Sequence, residues 1–212
     1  MVSFRERFPA ARPLIGVIHL PPLPGYEESP GLAAVVAHAL AELATYRVGG
    51  LDGVLVENEN DRPHRVEAGR ETIAVMTAVT RALVAAANRL PIGIEILLND
   101  PEASLAVAHA SGADFIRSDY FADEMSRPVH GAMRSAPEQV IAFRARIGAE
   151  RVLVLAAREG AGDCPLLIGS GLAPANAREL LEVADGAIVG TSLMRAGKAT
   201  AEQVTALTAA RS

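Results

Sequence analysis

Short apolar runs alternating with longer alanine-rich stretches constrain this chain more than any other feature. The runs are PLIGVIHL (13–20), DGVLVEN (52–58), PIGIEILLN (91–99), DFIRSDY (114–120), RVLVLA (151–156), CPLLIGS (164–170) and DGAIVGTS (185–192). Near-continuous hydrophobicity over a few residues marks strands covered on both faces, as in a parallel sheet. Helical patterns lie between most of them, at 31–48, 63–89, 101–111, 135–147 and 174–184, with a last helix over 201–211. This alternation predicts an α/β fold with right-handed crossovers. A chain of 212 residues, 50% hydrophobic, buries a large core, so one domain over residues 1–212 is expected.

Helix starts agree with the pattern. Asp100-Pro101-Glu102 reads as an N-cap, a proline at the first helical position and an acid in the first turn. Ser135 with Glu138 fits a capping box. Gly49-Gly50 and Gly112 supply stops.

One connection is anomalous. Only AREGAGD (157–163) separates the fifth run from the sixth, whereas a parallel crossover needs roughly a dozen residues. An eight-stranded (β/α)8 TIM barrel takes about 250 residues, more than this chain by roughly one strand–helix unit. The expectation is a closed (β/α)8 barrel from which a segment after the fifth strand is absent. The alternative is an open, doubly wound sheet with a tight turn at that place.

Composition excludes several partners. The net charge is −5, the pI is about 5.6 and no basic run occurs, so nucleic acid is not expected. The lone cysteine, Cys164, makes no internal disulfide and fits a reducing, cytoplasmic location. The N-terminus lacks a signal-peptide core, and Arg81, Arg89 and Glu95 interrupt the long apolar stretch, so no membrane insertion is expected.

Two glycine phrases end the last two strands, GSG (169–171) and GTS (190–192). In barrels, phosphate commonly binds at the loops after strands 7 and 8. Gly169, Ser170 and Gly171 would offer main-chain N–H groups unshielded by a Cβ. Gly190, Thr191 and Ser192 would add N–H groups and hydroxyls, and nearby helix starts would contribute further donors. Ordinary strand-to-helix turns are the alternative.

Period-two alternation places polar residues inside the barrel. Ile92, Ile94, Ile96 and Leu98 would face the helices, and Gly93, Glu95, Leu97 and Asn99 the interior. Phe115, Arg117 and Asp119 share a face, while Glu57 and His19 end the second and first strands. The candidate acid–base groups are therefore Glu57, Glu95, Asp119 and His19, with Arg117 binding an anion or holding a carboxylate ionised. A structural ion-pair network is the alternative. Asn58 and Asn99 would bind ligand hydroxyls or cap their loops, and Asp100 is assigned to the helix cap. HLPPLPG (19–25) is a lid or a stiff connection.

His19, His38, His64, His109 and His130 show no metal-type spacing, and no metal or cofactor is expected. His38 and His109 fall within helices, where exposure is the default. No nucleophile elbow, P-loop or dinucleotide fingerprint occurs.

IGVIHLPPLPG (15–25), GLDGVLVEN (50–58), GADFIR (112–117) and LIGSGLAPANARELLEVADGAIVGTSL (167–193) resemble the BtpA/SgcQ family. The resemblance implies a TIM-barrel-type fold of the phosphate-binding sort. It also implies links to photosystem I biogenesis in one branch and to a nucleosidase-like activity in the other. Family members continue after the fifth strand with a long segment that this chain lacks. After the fourth strand they often carry a glycine- and Thr-Asp-Gln-containing loop. YFADEMSRPVHGAM (120–133), with Asp123, Glu124, Arg127 and His130, stands there instead.

Three functions stay open. The chain is an enzyme on a phosphorylated or ribosyl small molecule, with cleavage of an N-glycosidic bond as the candidate reaction. Otherwise it is a non-catalytic assembly or stability factor, or a regulatory small-molecule binder. Alanine-rich helices at 31–45 and 72–88 leave a homo-oligomer as a further expectation.

Overall fold

The computed structural model of the chain describes residues 2–121, 125–127, 131–133, 136–156 and 164–211. All seven apolar runs become parallel strands, though shorter than the runs themselves. They are β1 (Leu14–His19), β2 (Gly53–Glu57), β3 (Ile92–Glu95), β4 (Phe115–Ser118), β7 (Leu153–Ala156), β8 (Leu167–Ile168) and β9 (Gly186–Val189). Short antiparallel hairpins pair β5 (Met125–Arg127) with β6 (Gly131–Met133), and β10 (Met194–Arg195) with β11 (Lys198–Ala199). Helices α1 (Phe4–Arg7), α2 (Leu32–Val48), α3 (Arg70–Ala86), α4 (Pro101–Ser111), α5 (Pro137–Arg146), α6 (Ala177–Glu182) and α7 (Ala201–Ala210) complete the chain.

The main sheet runs β7-β4-β3-β2-β1-β9-β8. This is the strand order of a TIM-type barrel with one position vacant. Among the described residues nothing pairs with the outer edge of β7 or β8, so the closure expected from sequence is not seen in them. The connection that would bridge them, 157–163, lies outside the described residues. The two outer strands are only half-buried, whereas β2, β3 and β9 are buried throughout.

Alternation along the strands builds two cores. Leu14, Ile18, Val54, Val56, Ile92, Ile94 and Ile116 pack outward against the helices. Ile15, Val17, Leu55, Phe115 and Ile188 pack inward with Phe8. Each such side chain removed from water stabilises the fold by about 1.5–3 kcal/mol. Glycine is required where two aromatic rings fill the floor. A Cβ on Gly93 would lie 2.1 Å from the Phe115 ring, and one on Gly53 would lie 2.7 Å from that of Phe8. The two rings meet edge to face at 5.5 Å and 71°. Phe8 arrives at the end of α1, a helix not anticipated from sequence, which Ser3 and Glu6 start with a capping box.

Other boundaries follow local chemistry. Asp100 caps α4, accepting from Ala103 N at 2.9 Å, and Gly112 stops it in the left-handed conformation. The expected helix over 63–89 starts only at Arg70. Residues 63–69 instead face the loop after β3: Leu98 N donates to Arg65 O at 3.0 Å, and Ala68 N to Asp100 Oδ2 at 2.9 Å. Helix α5 starts at Pro137 after Ala136, which has no side-chain acceptor; Ser135, expected to cap it, lies outside the described residues. Asp123, Glu124 and His130 lie outside them too. Among the described residues no helix is long and apolar enough to cross a membrane.

Candidate functional site

Register decides what stands at the C-terminal end of the sheet. His19, the last residue of β1, is the pairing partner of Glu57, the last of β2, and Glu57 is the partner of Glu95, the last of β3. Three consecutive strand ends thus deliver three titratable side chains at one height. Arg117 on β4 reaches into the same space and organises it. Its Nη1 lies 3.3 Å from Glu57 Oε1 and 3.3 Å from Glu95 Oε2, and its Nη2 lies 2.8 Å from Asp119 Oδ1. His19 Nε2 stands 3.6 Å from Glu57 Oε2. The expected cluster of Glu57, Glu95, Arg117, Asp119 and His19 therefore assembles. Among the described residues no group of three or more His, Cys, Asp or Glu is arranged to hold a metal ion. The guanidinium itself is the cation between the carboxylates.

Burial makes this cluster unusual. Glu95 is 2% exposed, with Arg117 and Glu57 as the polar side chains beside it. Burial pushes its carboxyl well above the ordinary range, the charge on Glu57 pushes it further, and Arg117 pulls the other way. Burial also raises Glu57, which Arg117 opposes. Of the two carboxyls, Glu95 is pushed up further. The native state then gains stability below the ordinary glutamate value of 4.5 and loses it as pH rises through the raised one. Glutamine imitates the protonated form. Glu95→Gln is therefore expected to gain on the parent in Tm as pH rises from weakly acidic to weakly alkaline. A difference that stays constant with pH would show Glu95 to be ionised throughout.

The two glycine phrases end neighbouring strands, since β8 pairs with β9 and β9 with β1. Their turns wall a cavity of about 230 Å³, and His19, Glu57 and Arg117 complete it. A Cβ on Gly190 would stand 3.2 Å from His19 Nε2, and one on Gly169 would stand 3.9 Å from Arg117 Nη2. Bare backbone thus faces the imidazole on one side and the guanidinium on the other. Glu57 is the acidic residue in this wall, buried and held between Arg117 and His19. Ser192 Oγ donates to Leu172 O at 2.6 Å, tying the turns together and leaving Ser192 its main-chain N–H for any ligand. The helix starts expected to help do not. The second turn winds into one 3-10 turn, Thr191–Leu193, and α6 begins only at Ala177 and is six residues long.

Both asparagines act as clamps. Asn58 Nδ2 donates to Asp61 Oδ2 at 3.0 Å and its Oδ1 accepts from Leu97 N at 2.8 Å. Asn99 Oδ1 accepts from Ser118 Oγ at 3.1 Å and Asp119 N at 3.0 Å, while its Nδ2 donates to Tyr120 O at 3.0 Å. Asn99 thus fixes the loop that carries Asp119. It does not point into the barrel, because β3 ends at Glu95 and the alternation ends with it. Likewise HLPPLPG is a stiff connection rather than a lid. Leu20 and Leu23 are fully buried, and Leu23 N donates to Asp61 Oδ1 at 2.8 Å.

Sequence inspection left His38 exposed on its helix. It is half-buried, with Nε2 3.2 Å from the carbonyl of His19 and 4.0 Å from Glu42 Oε1. The His38–Glu42 spacing of four was the available signal.

The model of the BtpA family matches residues 10–159. The chain belongs to the BtpA family. An uncharacterized protein of Archaeoglobus fulgidus is 30% identical, over 90% of this chain and 95% of the relative. The photosystem I biogenesis protein BtpA of Synechocystis is 28% identical, over 91% and 84%. The Archaeoglobus alignment spans 235 positions, of which 90% of a 212-residue chain fills about 190. That relative thus carries about 45 residues without counterpart here, enough for a strand–helix unit of a barrel. Solved structures with the same fold include a phosphoribosyl anthranilate isomerase in complex with reduced 1-(o-carboxyphenylamino)-1-deoxyribulose 5-phosphate. It has a TM-score of 0.56 and 13% identity, over 94% of this chain and 98% of that one. A native KDPGal structure has a TM-score of 0.53 and 19% identity, over 95% of both. The chain thus has a TIM-barrel-type fold whose sheet, among the described residues, is open between β7 and β8.

Proposed function

We propose that this BtpA-family protein binds a phosphorylated, sugar-sized small molecule at the C-terminal end of its sheet. Its phosphate sits between the Gly169–Gly171 and Gly190–Ser192 turns. The observation that carries this is the shared cavity: two glycine-containing turns on adjacent strands, with Arg117 and His19 in the same wall. Main-chain N–H groups and a fixed cation such as Arg117 are what an anion needs. Glu57 and His19 line the void and carry the acid–base work. Asp119 and Glu95 hold Arg117 from behind. The phosphoribosyl substrate class of the similarly folded isomerase agrees with this reading. An assembly factor without a ligand has no use for an open polar cavity at this place, so binding is favoured over a purely structural role.

The test is a thermal-shift series with inorganic phosphate and ribose 5-phosphate, since a ligand of the folded state raises Tm. Gly169→Val adds a side chain facing Arg117 with no backbone clash. It is expected to change stability by less than about 0.5 kcal/mol while abolishing the shift. A parent protein that no phosphate stabilises would refute the proposal.

A further inference from the structure

We infer that the site moves a proton between neighbouring atoms of a small α-hydroxycarbonyl phosphate, an aldose–ketose type of interconversion, with Glu57 and His19 as the two proton carriers. This rests on the glycine turns being the phosphate site, and it goes further by naming the reaction class.

Three observations carry it. The first is size. A cavity of about 230 Å³ is smaller than the roughly 300–1,000 Å³ of ordinary ligand pockets. With a phosphate at the glycine turns, what remains suits a short carbon chain rather than a purine or pyrimidine base. The second is placement. His19, Glu57, Glu95 and Arg117 come from β1, β2, β3 and β4, four consecutive neighbours in the sheet, whereas β8 and β9 end in glycine turns. His19 and Glu57, which both line the cavity, therefore approach the ligand together from the paired ends of β1 and β2.

The third is spacing. Glu57 Oε2 and His19 Nε2 are 3.6 Å apart. Hydrolysis of a glycosidic bond asks for an acid and a carboxylate on opposite faces of the sugar, about 5 Å apart for a nucleophile and about 6.5–9.5 Å when water lies between. Two groups within 3.6 Å on one wall match a different task, the proton exchanges at one C–H and its adjacent C=O.

The step balances without any co-reactant. The Glu57 carboxylate takes the proton from the carbon beside the carbonyl, and that C–H electron pair becomes the new C=C bond. The carbonyl π pair moves to oxygen, which takes a proton from His19 Nε2, giving the enediol. In the second half, the hydroxyl of the neighbouring carbon returns its proton to His19 and its O–H pair becomes the new C=O bond, freeing the C=C pair. Glu57 then returns its proton to the former carbonyl carbon. Glu95 does not reach the cavity; it is a positioning residue that keeps Arg117 beside Glu57. The catalytic residues are accordingly Glu57 and His19.

The test is proton NMR in D2O of the purified protein with dihydroxyacetone phosphate, ribulose 5-phosphate and fructose 6-phosphate. Thermal shifts are recorded on the same samples, and adenosine 5′-monophosphate is the control for N-glycosidic cleavage. The expected result is deuterium uptake at the carbon next to the carbonyl of at least one phosphate. Glu57→Gln and His19→Gln are each expected to slow that uptake by about 100-fold or more, with the thermal shift kept in Glu57→Gln. Thermal stabilisation by a sugar phosphate without uptake from any would overturn the reaction class and leave the phosphate site standing. Release of adenine, or uptake unchanged in both variants, would also overturn it. No stabilisation by any phosphate would remove the site and the reaction together.

Discussion

Replacing Arg117 with methionine is expected to cost about 3–5 kcal/mol of stability at pH 7, because one partner of a buried charge cluster is removed and the others are left uncompensated. The guanidinium is the cation that Glu57, Glu95 and Asp119 share, and two of those carboxyls are almost wholly buried. Without it, their folded-state protonation shifts further upward, since burial and mutual repulsion act unopposed. A raised carboxyl stabilises the native state at low pH and loses that contribution as pH rises. The penalty should therefore be largest at neutral and alkaline pH and shrink toward pH 4.5, the ordinary glutamate value. Urea unfolding of Arg117→Met against the parent across that range measures it. Adding Glu95→Gln to the variant should recover part of the loss at pH 7. A penalty independent of pH would mean that Arg117 contributes by packing alone.

Phe8→Ala should be nearly as damaging, though Phe8 belongs to no strand and lies just past a one-turn helix. Its ring is fully buried, stacks edge to face on Phe115 and occupies the space that Gly53 leaves open. Truncating a buried phenylalanine to alanine costs about 3–5 kcal/mol, which in a chain of this size lowers Tm by roughly 10 °C. The loss should be insensitive to pH and should leave any thermal shift by phosphate intact, because Phe8 is not in the wall of the cavity. Calorimetry with and without ribose 5-phosphate separates the two effects. A Tm within about 2 °C of the parent would mean that the floor of the sheet refills itself.

These two residues mark the boundary of what the sequence discloses. Period-two alternation and the position of each residue at a strand end were enough to bring His19, Glu57, Glu95 and Arg117 together. The same rule failed four residues later, at Asn99, because the strand had already ended. Clamps such as Asn58 and Asn99 depend on how close separate loops come, which no local pattern encodes. Helix α4 was legible at both ends because its proline, its cap and its glycine are all local signals. The start of α3 was not, because residues 65 and 68 make their hydrogen bonds across space. The Ser3–Glu6 capping box was present in the sequence, but the purpose of α1 lies in where it sends Phe8. The short 157–163 link pointed to a missing unit, and the vacancy between β7 and β8 lies there.

That vacancy bears on how a ligand would be held. In a closed barrel every strand is braced from both sides, so a loop at its rim inherits the rigidity of the whole ring. Here, among the described residues, β8, which carries the Gly169 turn, pairs with β9 alone. An anion gripped between that turn and the guanidinium carried by β4 would act as a staple across the seam. Recognition and the tightening of the seam would then be one event.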